Sequence, residues 1–247
     1  MREQPDLSGR TLLITGAGGG VGTGTAVAAA RAGAEVILCG KNMKKLERCY
    51  DAVSAAGGPE PALFPLHLSK AGADDYRKLV EGIQTDCGKL DGIVHAAARF
   101  EGLRPLSEFS LEEWQRTLHV NLTAAFVITQ ACLPLLRGSG DASVVFLSDQ
   151  VGRRPAAFWG GYAAAKAGLE ALVHMLMAEN SRPESLRYYS VDPGPLQTDL
   201  RQRAFPNDDP DARPVEALAP FLVSLLAPGG YDGDATRFGP EDIYPAA

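Results

Sequence analysis

Seven short apolar segments, rich in Val, Ile and Leu, alternate along the chain with longer segments of helical periodicity. The predicted strands begin with TLLIT at residues 11–15 and end with a run around 234–238. They are continuously apolar, which is typical of parallel strands buried on both faces of a sheet. The sequence therefore predicts a single α/β domain over residues 1–247, with a seven-stranded parallel sheet and helices on both faces. The predicted helices span 20–32, 42–56, 71–87, 110–136, 160–180 and 214–227.

Composition and charge restrict the kinds of partner that the chain can bind. It has 247 residues, 45% of them hydrophobic, which is enough for a full core. The net charge of −6 opposes a broad interaction with nucleic acid or an acidic membrane. The longest apolar stretch, LTAAFVITQACLPLL, is too short and too interrupted to predict a membrane span, and the polar start MREQPDLSGR does not resemble a signal peptide. We expect a small-molecule partner, no nucleic acid and no membrane.

The cysteines and histidines lack the spacing of a metal site. The cysteines are scattered without a C-x-x-C pair, which predicts reduced and mostly buried thiols in a cytoplasmic protein. His67 and His95 stand at predicted strand ends and are expected to be structural. No metal site is therefore predicted. The four cysteines are Cys39, Cys49, Cys87 and Cys132.

The first predicted strand runs directly into a glycine-rich turn, TGAGGGVGTG. Such a turn lets the backbone approach a pyrophosphate, and the amides that begin the next helix favour the anion. The common G-x-G-x-x-G fingerprint does not match in any register, whereas T-G-x-x-x-G-x-G matches at Thr15, Gly16, Gly20 and Gly22. A glycine turn without a ligand is the alternative, and its position between strand and helix disfavours it.

A second motif lies on the predicted helix over 160–180. Tyr162 and Lys166 form Y-x-x-x-K, a spacing that places the two Cα atoms about 6 Å apart on one helix face. A lysine ammonium at that distance favours the phenolate and lowers the pKa of the phenol towards working pH. On its own the pair is equally typical of a helix surface, so the motif gains weight only beside the glycine turn.

The glycine turn and the Y-x-x-x-K pair together resemble the short-chain dehydrogenase/reductase family, and the resemblance extends over residues 9–239. It implies a Rossmann fold in which Tyr162 is the acid/base and Lys166 lowers its pKa and binds ribose. Asn121, in HVNLTAAF, resembles the asparagine that helps to hold a water in the proton relay. The implied cofactor-binding residues are Thr15, Gly16, Gly20, Val21, Gly22, Lys41, Ala97, Tyr162, Lys166, Pro193, Gly194 and Thr198.

The end of the second strand indicates which nucleotide is bound. An acidic residue there binds the ribose hydroxyls of NAD, whereas a nearby cation accommodates the additional phosphate of NADP. Here Cys39 takes the place of the acid and Lys41 follows it. Relatives that use NADP often carry a basic residue at this point, so the resemblance implies NADP(H) rather than NAD(H). The alternative is that Lys41 is only a solvated charge.

The stretch over residues 193–213 is long and lacks a helical or strand period. It follows a strand end, where open α/β sheets bind their ligands, so we predict a substrate lid. Leu196, Leu200 and Phe205, together with Trp159, indicate a partly apolar substrate pocket. The same side chains could instead close the lid onto the sheet.

The principal departure from the family pattern is Asp149. The family's catalytic serine stands thirteen residues before the tyrosine and three before a glycine, and Tyr162 and Gly152 both assign that place to Asp149. Ser148 could take the place of the family's serine only if a bulge shifted the strand register. An ionised Asp149 about 4 Å from a phenolate would cost on the order of 4 kcal/mol at an effective dielectric near 20.

Two hypotheses reconcile Asp149 with catalysis. A protonated Asp149 could donate its O–H to the substrate oxygen, as neutral carboxylic acids do elsewhere. Alternatively, an ionised Asp149 could select a cationic substrate, an amine or an iminium. The sequence does not choose between them.

The predicted function is hydride transfer between NADP(H) and a carbonyl or alcohol carbon, with an imine or amine as the other option. Its catalytic residues would be Tyr162, Lys166, Asn121 and Asp149. The alternative is a nucleotide-binding regulatory or structural subunit with impaired catalysis, favoured by Asp149 and by HAAA at 95–98 where the family has N-N-A-G. A homodimer or homotetramer is expected through helices 110–136 and 160–180. The latter carries an apolar set that could also be core: Leu169, Leu172, Val173 and Leu176.

Overall fold

The computed structural model describes residues 5–181, 185–207, 210–231 and 236–244. Its sheet has seven parallel strands in the order β3-β2-β1-β4-β5-β6-β7, which confirms the predicted fold class. The described part of the last strand is shorter than predicted, and residues 234–235 lie outside the described chain. The strands are β1 Thr11–Thr15, β2 Glu35–Gly40, β3 Ala62–Pro65, β4 Gly92–His95, β5 Ala142–Leu147, β6 Leu186–Val191 and β7 Arg237–Phe238.

The helices follow the sequence prediction within a few residues, with two corrections. The segment predicted as one helix over 110–136 contains a π-helical turn at His119–Thr123, and the segment 214–227 divides into a 3-10 turn, Val215–Ala217, and a helix, Ala219–Leu226. Three short helices, Gln150–Arg153, Asp199–Ala204 and Pro240–Ile243, were not predicted because they are too short to show a period. The helices are α1 Gly20–Arg31, α2 Met43–Ala55, α3 Ala73–Asp86, α4 Leu111–Leu118, α5 Ala124–Ser139, α6 Gln150–Arg153, α7 Gly160–Ala178, α8 Asp199–Ala204, α9 Ala219–Leu226 and α10 Pro240–Ile243.

The sheet separates two hydrophobic cores. Side chains alternate along β1, so Leu12 and Ile14 pack with α1, α2 and α9, while Leu13 packs on the opposite face with α3 and α5. All three side chains are fully buried. Burying an aliphatic side chain of this size stabilises the fold by about 1.5–3 kcal/mol, which explains why the strands are continuously apolar.

The strand order creates a crevice at one edge of the sheet. The chain leaves β1 towards β2 and β3 on one side, and later returns to place β4 on the other side of β1. Connections therefore diverge at the carboxyl ends of β1 and β4, which is where open α/β sheets bind ligands. The glycine-rich turn follows β1 directly and opens into this crevice.

The apolar residues of α7 belong to the core. Leu169, Leu172 and Val173 are buried against the sheet, and Leu176 packs against the same cluster. This set therefore packs on the sheet, which is the core alternative that the sequence left open.

The helical segment Leu111–Ser139 is long and apolar enough to cross a membrane by length and composition alone, with a hydropathy of 1.4. It is longer than the apolar stretch considered in the sequence. In the fold, α5 packs on the sheet through Ala124, Ile128, Cys132 and Leu136. A core helix of this kind meets the same criteria, so the segment is weak evidence for a membrane span.

Candidate active site

One cleft of about 720 Å³ runs along the carboxyl ends of the strands. It brings together most of the residues that the sequence analysis selected. Thr15 and Asn121 are not among its lining residues; they lie behind its wall. The selected residues that line it are Gly16, Gly20, Val21, Gly22, Lys41, Ala97, Asp149, Tyr162, Lys166, Pro193, Gly194 and Thr198.

The glycine turn forms a cradle that side chains would fill. A Cβ on Gly16, whose φ is 69°, would lie 2.6 Å from the Cα of Ala97, and a Cβ on Gly22 would lie 2.3 Å from the carbonyl oxygen of Gly16. Helix α1 begins at Gly20, and none of the described side chains caps its N-terminus. Its first amides face the cleft and suit a phosphate group, because the helix dipole favours an anion there.

Thr15 supports the cradle from beneath. Its hydroxyl accepts a hydrogen bond from the backbone N–H of Ala97 at 3.3 Å and donates one to the carbonyl oxygen of Val94 at 3.4 Å. The side chain is buried, so Thr15 fastens the turn to the end of β4. This position differs from the direct cofactor contact that the resemblance implied.

The far end of the cleft carries a cation that is available to a ligand. Lys41 is exposed, lines the cleft, and has no acidic partner among the described residues. Lys45 also lines this end and forms an exposed ion pair with Asp199 of α8 at 3.2 Å. Cys39 is fully buried beneath them. A free ammonium at Lys41 suits an additional phosphate, as the sequence predicted.

Asp149, and not Ser148, faces the tyrosine. The β5–β6 register runs without interruption from Ala142 to Leu147, and the backbone N–H of Ser148 continues it. Tyr162 therefore donates its O–H to Oδ2 of Asp149 at 3.0 Å. The backbone N–H of Val151 donates to Oδ1 at 3.0 Å, so Asp149 also caps α6.

The surroundings of Tyr162 oppose its ionisation. Burial raises the pKa of Tyr162 well above its ordinary value, and the charge and hydrogen bond of Asp149 raise it further. Burial lowers the pKa of Lys166 to about 8, against the attraction of nearby carboxylates. The ammonium donates to the carbonyl oxygen of Leu147. The pKa of the phenol is thus shifted in the direction opposite to that predicted from Lys166 alone, chiefly because Tyr162 is buried.

Asn121 connects two segments of the chain. Both of its amide hydrogens are used, one by the carbonyl oxygen of Thr117 and one by that of Arg99, each at 2.8 Å. Its Oδ1 accepts from the N–H of Arg99 at 3.0 Å. A cavity of about 10 Å³, close to the space one water needs, lies between Asn121 and Lys166. The side chain thus orders the wall of a site for one water.

The substrate end of the cleft is aromatic. Phe100 lies with its ring centroid 5.0 Å from that of Trp159 and 5.4 Å from that of Tyr162, and Phe205 lies 6.3 Å from Trp159. Trp159 and Phe205 were predicted here. Phe100 was not, because it follows β4 in a segment that carries no recognisable motif.

The predicted lid is more ordered than its sequence indicated. It contains α8, and Leu196 forms a bridge with Arg213 that closes the base of the segment. Residues 208–209 of the predicted lid lie outside the described chain. Leu196 is buried in the core, whereas Leu200 packs against the aromatic cluster. The segment therefore has both of the roles that the sequence left open: it closes onto the sheet and it contributes an apolar side chain to the substrate pocket.

A charged network beneath the cleft escaped the sequence analysis. Glu170 follows Lys166 by one helical turn and pairs with Arg153 at 2.9 Å and with Arg237 at 2.9 Å. The hydroxyl of Ser190 donates to the same carboxylate at 2.7 Å. The network joins α6, α7, β6 and β7, and the wide separation of these elements in the chain concealed it.

The histidines have structural surroundings. His95 bonds to the hydroxyl of Thr129 at 2.9 Å and stacks on Phe146, and burial lowers the pKa of His95 to about 3. His67 bonds to Ser69 at 3.1 Å. Within the described ranges, no group of His, Cys, Asp and Glu has the arrangement of a metal site.

A parallel sheet with a glycine cradle at its switch point, and a Tyr–Lys pair beside it, defines a dinucleotide-binding α/β domain. The short chain dehydrogenase family model matches residues 10–209. The chain therefore belongs to the short-chain dehydrogenase/reductase family.

Relatives extend over nearly the whole chain. The uncharacterised oxidoreductase YciK of Escherichia coli K12 is 38% identical over 91% of this chain and 88% of its own. A short chain dehydrogenase of Escherichia coli CFT073, whose crystal structure contains NADPH, superimposes with a TM-score of 0.89 at 35% identity over 98% of this chain and 100% of its own. One from Shigella flexneri 2a, complexed with NADP, superimposes with a TM-score of 0.89 at 34% identity over 97% of this chain and 100% of its own.

Proposed function

We propose that this chain is an NADP(H)-dependent oxidoreductase that transfers a hydride between nicotinamide and a carbonyl or alcohol carbon, or an imine or amine carbon. The observation that carries the proposal is that the glycine cradle and the Tyr162–Lys166 pair line one continuous cleft. The NADP(H) complexes of similar structures support the choice of cofactor.

The residues of the cleft fit such a cofactor. The amides at the start of α1 would bind the pyrophosphate, and Lys41 would bind the 2′-phosphate. Lys166 would hold the nicotinamide ribose, while Pro193, Gly194 and Thr198 would contact the nicotinamide end. When bound, NADP(H) would supply or accept the hydride.

The chain itself provides positioning and charge. Tyr162 is held by its hydrogen bond to Asp149 and lies against Phe100, which covers the reacting position with an apolar wall. Lys166 contributes a buried ammonium, and Asn121 orders the adjacent water site. Water exclusion strengthens every charge interaction in the site.

The competing proposal is a nucleotide-binding subunit with impaired catalysis. The raised pKa of Tyr162 supports it, because a phenol held by a carboxylate is a poor base for alcohol oxidation. The oxidoreductase and dehydrogenase names of relatives favour the enzyme.

The proposal extends to assembly and location. We propose a cytoplasmic homodimer or homotetramer with a small-molecule substrate and no nucleic-acid or membrane partner. Helices α4, α5 and α7 expose three large apolar side chains that suit a second subunit: Leu111, Phe126 and Met175. Sedimentation of wild type and Phe126→Glu would test the assembly, with a shift to monomer expected for the variant.

Fluorescence titration with NADPH and NADH tests the cofactor, and a panel of ketones and imines then tests turnover. We expect tighter binding of NADPH, and a fall in kcat of about 10²–10³ for ketone reduction in Tyr162→Phe. Failure to bind either nucleotide would refute the proposal.

A further inference from the structure

The chemistry of the reacting group can be inferred from the two oxygens of Asp149. Oδ1 accepts a hydrogen bond from the backbone N–H of Val151, and Oδ2 accepts one from the hydroxyl of Tyr162. Hydrogen bonds to both oxygens of a carboxyl group favour its charged form over its neutral form. Asp149 therefore offers the substrate negative charge, whereas the family serine would offer an O–H donor.

A second carboxylate lies in the same part of the cleft. Asp192 stands at the end of β6, is 5% exposed and accepts a hydrogen bond from the N–H of Gly194 at 3.0 Å. The buried cation of the cleft floor is Lys166, and Glu170 beneath it is already paired with arginines. Burial raises the pKa of Asp192, and Arg153 attracts its charge, so Asp149 is the carboxylate that meets the reacting group. Arg154, Arg201 and Arg203 also line the cleft.

The walls around this charge also suit a cation. The rings of Phe100, Trp159 and Tyr162 pack against one another and line the cleft beside Asp149, with centroids between 5.0 and 5.7 Å apart. Aromatic faces attract organic cations, and they do so more strongly when water is excluded. A carboxylate beside an aromatic wall suits a substituted ammonium or iminium group.

We propose that the substrate of this site carries its reacting carbon in a C=N bond, as a protonated imine or iminium ion. The inference rests on the proposed function and specifies its substrate class. In the reducing direction, a hydride adds to the iminium carbon, the π-electron pair of the C=N bond becomes the nitrogen lone pair, and NADPH is oxidised to NADP⁺. The amine product afterwards takes a proton from solvent, so the step requires no proton donor at Asp149.

The same charge arrangement disfavours a carbonyl substrate. Hydride addition to a ketone produces an alkoxide, and an alkoxide about 4 Å from a carboxylate would be destabilised by about a thousandfold in rate at an effective dielectric near 20. Hydride addition to an iminium ion develops no negative charge. Asp149 therefore discriminates between C=N and C=O by charge.

The test compares two bicyclic probes of similar shape, 3,4-dihydroisoquinolinium and 2-tetralone, in wild type, Asp149→Ser and Asp149→Asn. Serine and asparagine both cap helices, so α6 is expected to remain folded. We expect wild type to reduce the iminium probe with a kcat/KM at least tenfold above that for the ketone. The ratio should fall at least tenfold in both variants, with Asp149→Ser preferring the ketone.

A binding measurement separates this inference from the cofactor proposal. With NADP⁺ present, wild type should bind the amine product, 1,2,3,4-tetrahydroisoquinolinium, at least tenfold more tightly than the neutral 2-tetralol, and Asp149→Asn should lose that difference. If NADPH binds but wild type prefers the ketone, or the ratios do not respond to the variants, the inference is wrong while the proposed function stands. If wild type reduces neither probe, equal affinities for 1,2,3,4-tetrahydroisoquinolinium and 2-tetralol overturn the inference. Absence of NADPH binding overturns both.

Discussion

The close approach at Gly22 allows a quantitative prediction about the glycine cradle. A Cβ at this position would lie 2.3 Å from the carbonyl oxygen of Gly16 and 2.8 Å from the Cα of Ala17. Both contacts are with backbone, which cannot rotate away as a side chain can. Overpacking of this kind costs about 1–3 kcal/mol, and the turn must move to relieve it.

Gly24, two residues further along α1, provides the matched control. A Cβ there would meet Val215 at 3.7 Å, an ordinary contact. Gly24→Ala should therefore stabilise the protein by about 1 kcal/mol, because alanine loses less conformational entropy in a helix. For a chain of this size, about 1 kcal/mol raises Tm by roughly 2–4 °C.

Thermal unfolding and NADPH fluorescence titration measure the two effects separately. Gly22→Ala should lower Tm by several degrees and weaken NADPH binding at least tenfold, because the displaced amides no longer converge on the pyrophosphate. Gly24→Ala should raise Tm and leave the affinity nearly unchanged. If Gly22→Ala bound NADPH with wild-type affinity, the cradle would not be the phosphate site.

Three further predictions concern other parts of the molecule. Lys41→Ala should weaken NADPH binding by about 10–100-fold and leave NADH binding unchanged, since a charge-assisted hydrogen bond is lost. The control Lys44→Ala, at an exposed position, should change neither affinity. Burial holds the pKa of His95 at about 3 in the folded chain, against an ordinary 6.5. As the pH falls, the unfolded chain therefore binds the proton before the folded chain does. Between pH 6.5 and about 3, His95 should therefore reduce stability by up to about 1.4 kcal/mol per pH unit, and denaturant titrations of His95→Gln should show a smaller slope. Glu170→Gln should lower the free energy of unfolding by about 2–3 kcal/mol, because the partly buried Arg153 loses its charged partner. If chemical denaturation gave the same free energy of unfolding for the variant and wild type, that pairing would be contradicted.

Most of the cleft could be located from sequence because its parts lie next to recognisable motifs. The helix prediction correctly placed Tyr162 and Lys166 on α7, and the glycine turn predicted where α1 begins. The role of Thr15 was harder to predict, since its partner Ala97 is distant in the chain. Phe100 lacked any signal, because a single aromatic residue after a strand does not indicate which cavity it will line.

The order of strands and helices, the glycine turn after β1 and the spacing of the Tyr–Lys pair could all be predicted from the sequence. These features depend on neighbouring residues, whose periodicity and conformational preferences can be recognised without knowledge of the fold. The folded chain was needed to show that Asp149 bonds to Tyr162 and Val151, that Asn121 uses both amide hydrogens, and that Glu170 pairs with two arginines. Those interactions join segments far apart in the chain, and their geometry exists only once the sheet has assembled.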